Sequence, residues 1–177
     1  KAELAAAWMA QRYPGARTTG VARAFTRAEA DRVADFDVVF DCVDLYEIKL
    51  MLNELCARRR VPLVVAAASS WSGMVLPVDP TALDSPCLRC VFDEGLAPGA
   101  APTCDQVGIF GPLLGRVAAA QVDAALALLR GECGPLTLFE RGDQISLHAQ
   151  RRADCAACGA QPRHTRRAPE IFDFAAP

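Results

Sequence analysis

Hydrophobic and polar positions predict a chain of alternating helices and strands. From Lys1 to Arg12, Ala, Leu, Trp and Met recur at helical spacing, and Pro14-Gly15 closes the element. Residues Arg17 to Ala22 (RTTGVA) read as a short strand. Thr26, with Glu29 three residues on, has the spacing of a capping box, in which each side chain bonds the other's backbone amide. Phe36 to Asp44 (FDVVFDCVD) is a continuous apolar run ending in acids, the pattern of a buried parallel strand with a polar carboxyl end. A helix over Tyr46 to Arg59 follows, and then two apolar runs, Val61 to Ala68 and Ser72 to Asp79, each read as a strand. Between Asp79 and Pro112 periodicity is lost and Pro and Gly are frequent, which predicts a long irregular connection of the kind that is functional or tethered. Gly111 to Gly131 is the clearest helix, with Gly131 placed for a C-terminal cap. Two short strands are predicted at Leu136 to Phe139 and Gln144 to His148. Strands alternating with helices predict an α/β fold with a mostly parallel sheet.

Composition narrows the class. The 177 residues suit one domain with a substantial core, and 52% apolar with 23% charged residues is the balance of a folded globular protein. A net charge of −2 argues against a nucleic-acid binder, because phosphate affinity rests on a basic surplus. No apolar run approaches the ~20 residues of a membrane span, and the opening segment lacks the features of a signal peptide. The default compartment is therefore a reducing cytoplasm, where paired cysteines serve as metal ligands or redox groups more often than as disulfides.

Two such pairs exist. Cys87 and Cys90 (PCLRC) stand two residues apart in the irregular connection, and Cys155 and Cys158 (CAACG) repeat the spacing far downstream. Two C-x-x-C turns supply the four thiolates of a tetrahedral zinc site, and neither pair has the strand-to-helix setting of a redox motif. A four-thiolate site has no open position, so it holds structure and carries no chemistry. Of the other cysteines, Cys42 and Cys56 read as small buried hydrophobes, and Cys133 receives no role. Cys104 lies in a polar stretch just before the long helix, whose dipole can lower a thiol pKa.

In parallel α/β sheets ligands bind beyond the carboxyl ends of strands, which is where Asp41 and Asp44 fall. A carboxylate there can hold Mg²⁺ together with phosphates; a solvated strand end or a helix cap is the plainer alternative. No G-x-G-x-x-G or P-loop pattern accompanies it. His148 and His164 lie far apart, and no nucleophile-elbow pattern surrounds Ser69, Ser70 and Ser72.

Taken in order, these pieces resemble the ThiF/MoeB/HesA family, bacterial relatives of ubiquitin-activating enzymes. The matching stretches are KAELAAAWMAQRYP, DVVFDCVD with Asn53 downstream, VPLVVAAA then SGMVLPV, PCLRC, TCDQVGIFGPLLGRVAAAQVDAALALLRG, and CAACG. The resemblance implies a Rossmann-like, mostly parallel sheet with a zinc-clipped C-terminal region, over residues 1–162, followed by a tail at 163–177. It implies adenylation, with Mg·ATP, of the C-terminal Gly-Gly carboxylate of a ubiquitin-like sulfur-carrier protein, and a homodimer. By the same resemblance Asp44 is the metal-binding, catalytic aspartate, and Lys1 contacts the ATP phosphates. Lys49 and Asn53 belong to the nucleotide site, and Cys104 matches a cysteine that forms a sulfur-linked intermediate in thiamine-pathway members. Two departures stand out: Leu45 follows Asp44 where the family has Asn, and Lys49 stands where Arg is usual. The family's first strand, glycine-rich loop and catalytic arginine fall upstream of Lys1, so this chain alone is expected to be inactive. The alternative reading is a zinc-stabilised module that has lost nucleotide chemistry and binds a ubiquitin-like protein or an enzyme subunit.

Overall fold

A computed structural model describes residues 1–26, 32–92 and 104–160. The elements run α1 (Ala2–Arg12), β1 (Val39–Asp41), α2 (Tyr46–Arg59), β2 (Leu63–Ser69), β3 (Ser72–Val78), α3 (Leu88–Val91), α4 (Cys104–Val107), α5 (Gly111–Leu129), β4 (Leu136–Glu140) and β5 (Asp143–Leu147). One five-stranded sheet carries them in the order β1-β2-β3-β4-β5.

The fold is mixed α/β, but the sheet is not mostly parallel. Only β1 and β2 pair parallel, Val39 opposite Leu63, and the other three pairings are antiparallel. The connections dictate this. A parallel return needs a crossover of a dozen residues or more, and α2 supplies one between β1 and β2. Between β2 and β3 only Ser70 and Trp71 intervene, and Ser70 takes the left-handed φ of 54°. The β4–β5 turn is equally short, with positive φ at both Arg141 (46°) and Gly142 (105°), the twist that lets a two-residue loop join right-twisted strands.

Three smaller expectations also change. Residues 17–22 form no strand; they run back along α1, where Thr18 Oγ1 donates to the Ala6 carbonyl. Gly20 lies so close that a Cβ there would sit 2.6 Å from the Ala2 carbonyl oxygen, which fixes this backbone against a helix and away from any sheet edge. The run Phe36 to Asp44 yields only three strand residues, with Phe36 and Phe40 exposed. Glu29 of the expected capping box lies outside the described residues.

Helix α2 forms where its sequence predicts. Arg60 closes it in the left-handed region, with Arg58 and Arg59 near its carbonyl end. Helix α5 ends in a Schellman arrangement: Gly131 donates to Leu128 and Glu132 to Ala127, with Gly131 at φ 79°. By length and hydropathy α5 could span a membrane, a property that run-counting in the sequence did not register. In this fold its Leu113, Val117, Gln121, Ala125 and Leu128 are buried. That face packs with Val64, Ala66, Val75 and Phe139 of the sheet. The second core cluster joins Met51, Leu55 and Cys56 of α2 to Leu63, Val65, Leu76 and Cys87.

Candidate functional site

The carboxyl ends of β1 and β2 open into a cavity of about 540 Å³. Its walls are mostly apolar, from Val65 to Ala68 on β2, Met74 on β3, Leu88 and Phe92 beside α3, and Leu114 and Val117 on α5. Polar groups converge on one side: Cys42, Asp44, Tyr46, Lys49 and Gln121.

A buried network builds that side. Asp41 is fully buried at the last position of β1, and Lys49, one turn into α2, is 7% exposed. The Lys49 ammonium donates to both Asp41 carboxylate oxygens at 3.2 Å and to the Ala66 carbonyl at 2.6 Å. Asp41 Oδ1 also accepts the Val43 amide at 3.1 Å, which shapes the turn that presents Asp44. Burial raises the Asp41 carboxyl above its ordinary range, against the opposing charge of Lys49. On α5, Gln121 Nε2 donates to the Asp41 and Val64 carbonyls at 3.1 and 3.0 Å, and its oxygen faces the Cys42 thiol at 3.7 Å. Asp41, Lys49 and Gln121 thus lock the two strand ends, α2 and α5 together, and Asp44 stays exposed at the rim.

Beside the cavity the two cysteine pairs meet. The sulfurs of Cys87, Cys90, Cys155 and Cys158 all lie within 4.8 Å of one another, with contacts of 3.9 Å (Cys87–Cys90), 3.6 Å (Cys87–Cys155) and 3.4 Å (Cys90–Cys158). A tetrahedron of thiolates about 2.3 Å from zinc has edges of about 3.8 Å, so the donor set fits such an ion. Each pair sits on a tight turn: the Cys90 amide bonds the Cys87 carbonyl and the Gly159 amide bonds the Cys155 carbonyl, both at 2.9 Å. Hydrogen bonds from the Cys158 and Cys87 thiols, with the Arg152 amide at 3.4 Å, pull Cys90 far below the ordinary thiol range. Cys158, sharing protons with Cys87 and Cys90, is pushed up. The cluster therefore favours a thiolate before all four protons are displaced.

Two buried contacts join this cluster to α2. Asn53 Oδ1 accepts the Leu88 amide at 2.9 Å, and Glu54 accepts from Arg89 Nη2 at 2.8 Å and Nε at 3.2 Å. Arg151 ties the second pair down, bonding the Ala82 and Cys158 carbonyls.

Of the site residues expected from the sequence, Asp44 and Lys49 meet at the cavity, and the four metal-site cysteines meet beside it. Asn53 faces the first cysteine turn, and Lys1 is an exposed residue capping α1. The backbone of Cys104 opens α4, while its side chain lies outside the described residues. Cys56 is buried as expected, but Cys42 is exposed at the cavity. Asp41's burial, Gln121 and the Glu54–Arg89 pair were not found from the sequence.

The sequence pattern of the ThiF family matches residues 1–164. The chain is 32% identical over 166 residues to the SAMP-activating enzyme E1 of Haloferax volcanii, a match covering 90% of this chain and 60% of that protein. It is 28% identical over 165 residues to the sulfur carrier protein ThiS adenylyltransferase of Escherichia coli, covering 90% and 64%. The chain thus spans less than two thirds of the length of these curated relatives. The crystal structure of E. coli MccB shares the fold, with a TM-score of 0.71 over 96% of this chain and 53% of that one at 13% identity.

Proposed function

The chain belongs to the ThiF family, and on that premise we propose that its parent protein adenylates the C-terminal Gly-Gly carboxylate of a ubiquitin-like sulfur carrier. Relatives named as a SAMP-activating enzyme and as a ThiS adenylyltransferase support the class. The observation that carries the assignment here is Asp44, held at the rim of an apolar cavity on a turn that Asp41 shapes. In the reaction a carboxylate oxygen attacks the α-phosphorus of ATP. A C–O–P anhydride bond forms, the α–β bridging bond breaks, and pyrophosphate leaves with its electron pair. The activated carbonyl is then open to a sulfur nucleophile. This chain's part is positioning and charge neutralisation: the cavity wall excludes water from the carboxyl end, and Asp44 would hold the Mg²⁺ of the nucleotide. Lys1 is assigned to the phosphates, and Cys104 to sulfur relay. The four cysteines are assigned to a structural zinc in a reducing cytoplasm. The exposed stripe Leu114, Val122, Leu126 and Leu129 on α5 supports a homodimer, in which a second copy would cover it.

A second reading has its own observation. The ammonium of Lys49 is already engaged by Asp41 and the Ala66 carbonyl, and Leu45 is apolar, so little in the lining grips a triphosphate. That favours a zinc-stabilised partner-binding module without nucleotide chemistry.

ATP–pyrophosphate exchange in the full-length protein, with a Gly-Gly carrier, separates the two. Asp44→Asn is expected to abolish carrier-stimulated exchange and leave zinc content unchanged. Zinc lost together with exchange would withdraw the assignment of Asp44, because the fold itself would have failed. No exchange in the zinc-loaded wild type would leave the binding module. In the same assay Cys104→Ser separates adenylation, expected to persist, from sulfur transfer.

A further inference from the structure

Helix α3 begins without a cap of its own. Its N-terminal residue is flanked by Cys87, which makes no side-chain bond to the helix amides. An uncapped amide inside a protein needs an acceptor from elsewhere. Asn53, 1% exposed on α2, provides it by accepting the Leu88 amide. Its neighbour Glu54 takes the guanidinium of Arg89, with both side chains at least nine-tenths buried. These two acceptors therefore grip both inner residues of the turn Cys87-Leu88-Arg89-Cys90. Arg89's charge and Leu88's amide have no route to water, so their removal from α2 would strand a buried carboxylate and a buried donor.

The same helix reaches the cavity. Lys49 lies one turn before Asn53, about 6 Å along the axis, and its ammonium fixes α2 to the ends of β1 and β2. Leu88, 2% exposed, and Phe92, which closes α3, are themselves cavity wall. Metal turn, clamp and cavity floor are thus one connected set.

We propose that Asn53 and Glu54 are positioning residues of the metal site, and that through them metal occupancy fixes the cavity wall at Leu88 and Phe92. The inference rests on the assignment of the four cysteines to zinc and not on adenylation. A clip that only tied the chain's end to the irregular connection would need neither residue. Outer partners of metal ligands commonly change metal affinity 10–100-fold when removed, and coupling between two sites acts in both directions.

Two measurements on the zinc-loaded protein test it. In the first, zinc transfer to a chromogenic chelator is followed for wild type, Asn53→Ala and Asn53→Asp. Asn53→Ala is expected to release zinc at least 10-fold faster, while Asn53→Asp, which keeps an accepting oxygen, stays within about threefold of wild type. In the second, amide hydrogen exchange of the wild type is compared with and without zinc, which needs no variant to fold. Removal of zinc is expected to speed exchange at Leu88 and across residues 49–56 as well as at 151–160. Unchanged zinc release in Asn53→Ala, or faster exchange confined to 151–160, would overturn the clamp. A wild type that binds no zinc would overturn the metal assignment with it, and would leave the exchange assay for adenylation to stand or fall separately.

Discussion

Replacing Lys49 with Met removes the ammonium and keeps most of the side-chain volume. What remains is the Asp41 carboxylate, fully buried, with the Val43 amide as its other partner in the turn, and an Ala66 carbonyl stripped of a 2.6 Å donor. Breaking one side of a buried ion pair costs about 3–5 kcal/mol, a large share of the ~5–15 kcal/mol that holds a domain folded. With a urea slope of about 2 kcal/mol per molar, the unfolding midpoint at pH 7 should fall by roughly 2 M. The loss should depend on pH. Burial already raises the folded-state pKa of Asp41, Lys49's charge opposes that rise, and its removal raises the pKa further. Because the folded carboxyl then binds its proton more tightly than the unfolded one, the cost is full at neutral pH. It shrinks as pH falls through the folded-state pKa. Urea titrations followed by circular dichroism at pH 7 and pH 5 should therefore show the variant closing on wild type at the lower pH. The double variant Asp41→Asn with Lys49→Met should recover much of the loss at both. A deficit below about 1 kcal/mol that does not change with pH would refute the reasoning, since it would mean that water already solvates the pair.

Other perturbations reach the remaining parts. Gly159→Ala would place a Cβ 2.5 Å from the Cys155 carbonyl oxygen, a backbone atom that cannot swing aside, so the second cysteine turn must open; equilibrium zinc titration should show affinity at least tenfold weaker. Gln121→Leu leaves the Asp41 and Val64 carbonyls without their side-chain donor and should cost about 2–3 kcal/mol in the same urea assay. Alkylation of the native protein, mapped by mass spectrometry, should label exposed Cys42 and Cys133 and spare Cys56, whose thiol burial pushes up to about 12.

What could be read from the chain was what the chain writes locally. Helix α2 matches its predicted bounds, and the C-terminal cap of α5 was visible in Gly131, because periodicity and capping act over a turn or two. The cysteine cluster was legible for a different reason: a metal turn imposes the same spacing wherever it occurs, so two distant pairs announce one another. Strand direction was also within reach. Three residues separate the two apolar runs around Trp71, too few for a parallel return, and that spacing outweighs the general expectation for alternating elements. The roles of Asn53, Glu54 and Gln121 were not legible. Their partners lie 35 to 80 residues away, and a polar residue on an amphipathic helix looks the same in sequence whether it meets water or a buried amide. Lys49 misleads for the same reason: as a lone cation near an acidic strand end it reads as a phosphate contact, and only the fold reveals that Asp41 occupies it.

That pairing bears on the chemistry. With Lys49 neutralising Asp41, the polar side of the cavity keeps one exposed carboxylate, Asp44. A carrier carboxylate and a triphosphate brought beside it would face a like charge inside low-dielectric walls, where repulsion is strong. Arg89, the nearest guanidinium of the metal turn, is held by Glu54. Adenylation at this cavity therefore needs positive charge beyond its lining: Mg²⁺ held at Asp44, and side chains such as Lys1 brought in from outside. The apolar wall and the metal turn behind it have the complementary task. They hold the cavity's shape without adding charge, so that Asp44 and whatever cations join it determine which anions enter and how they are oriented.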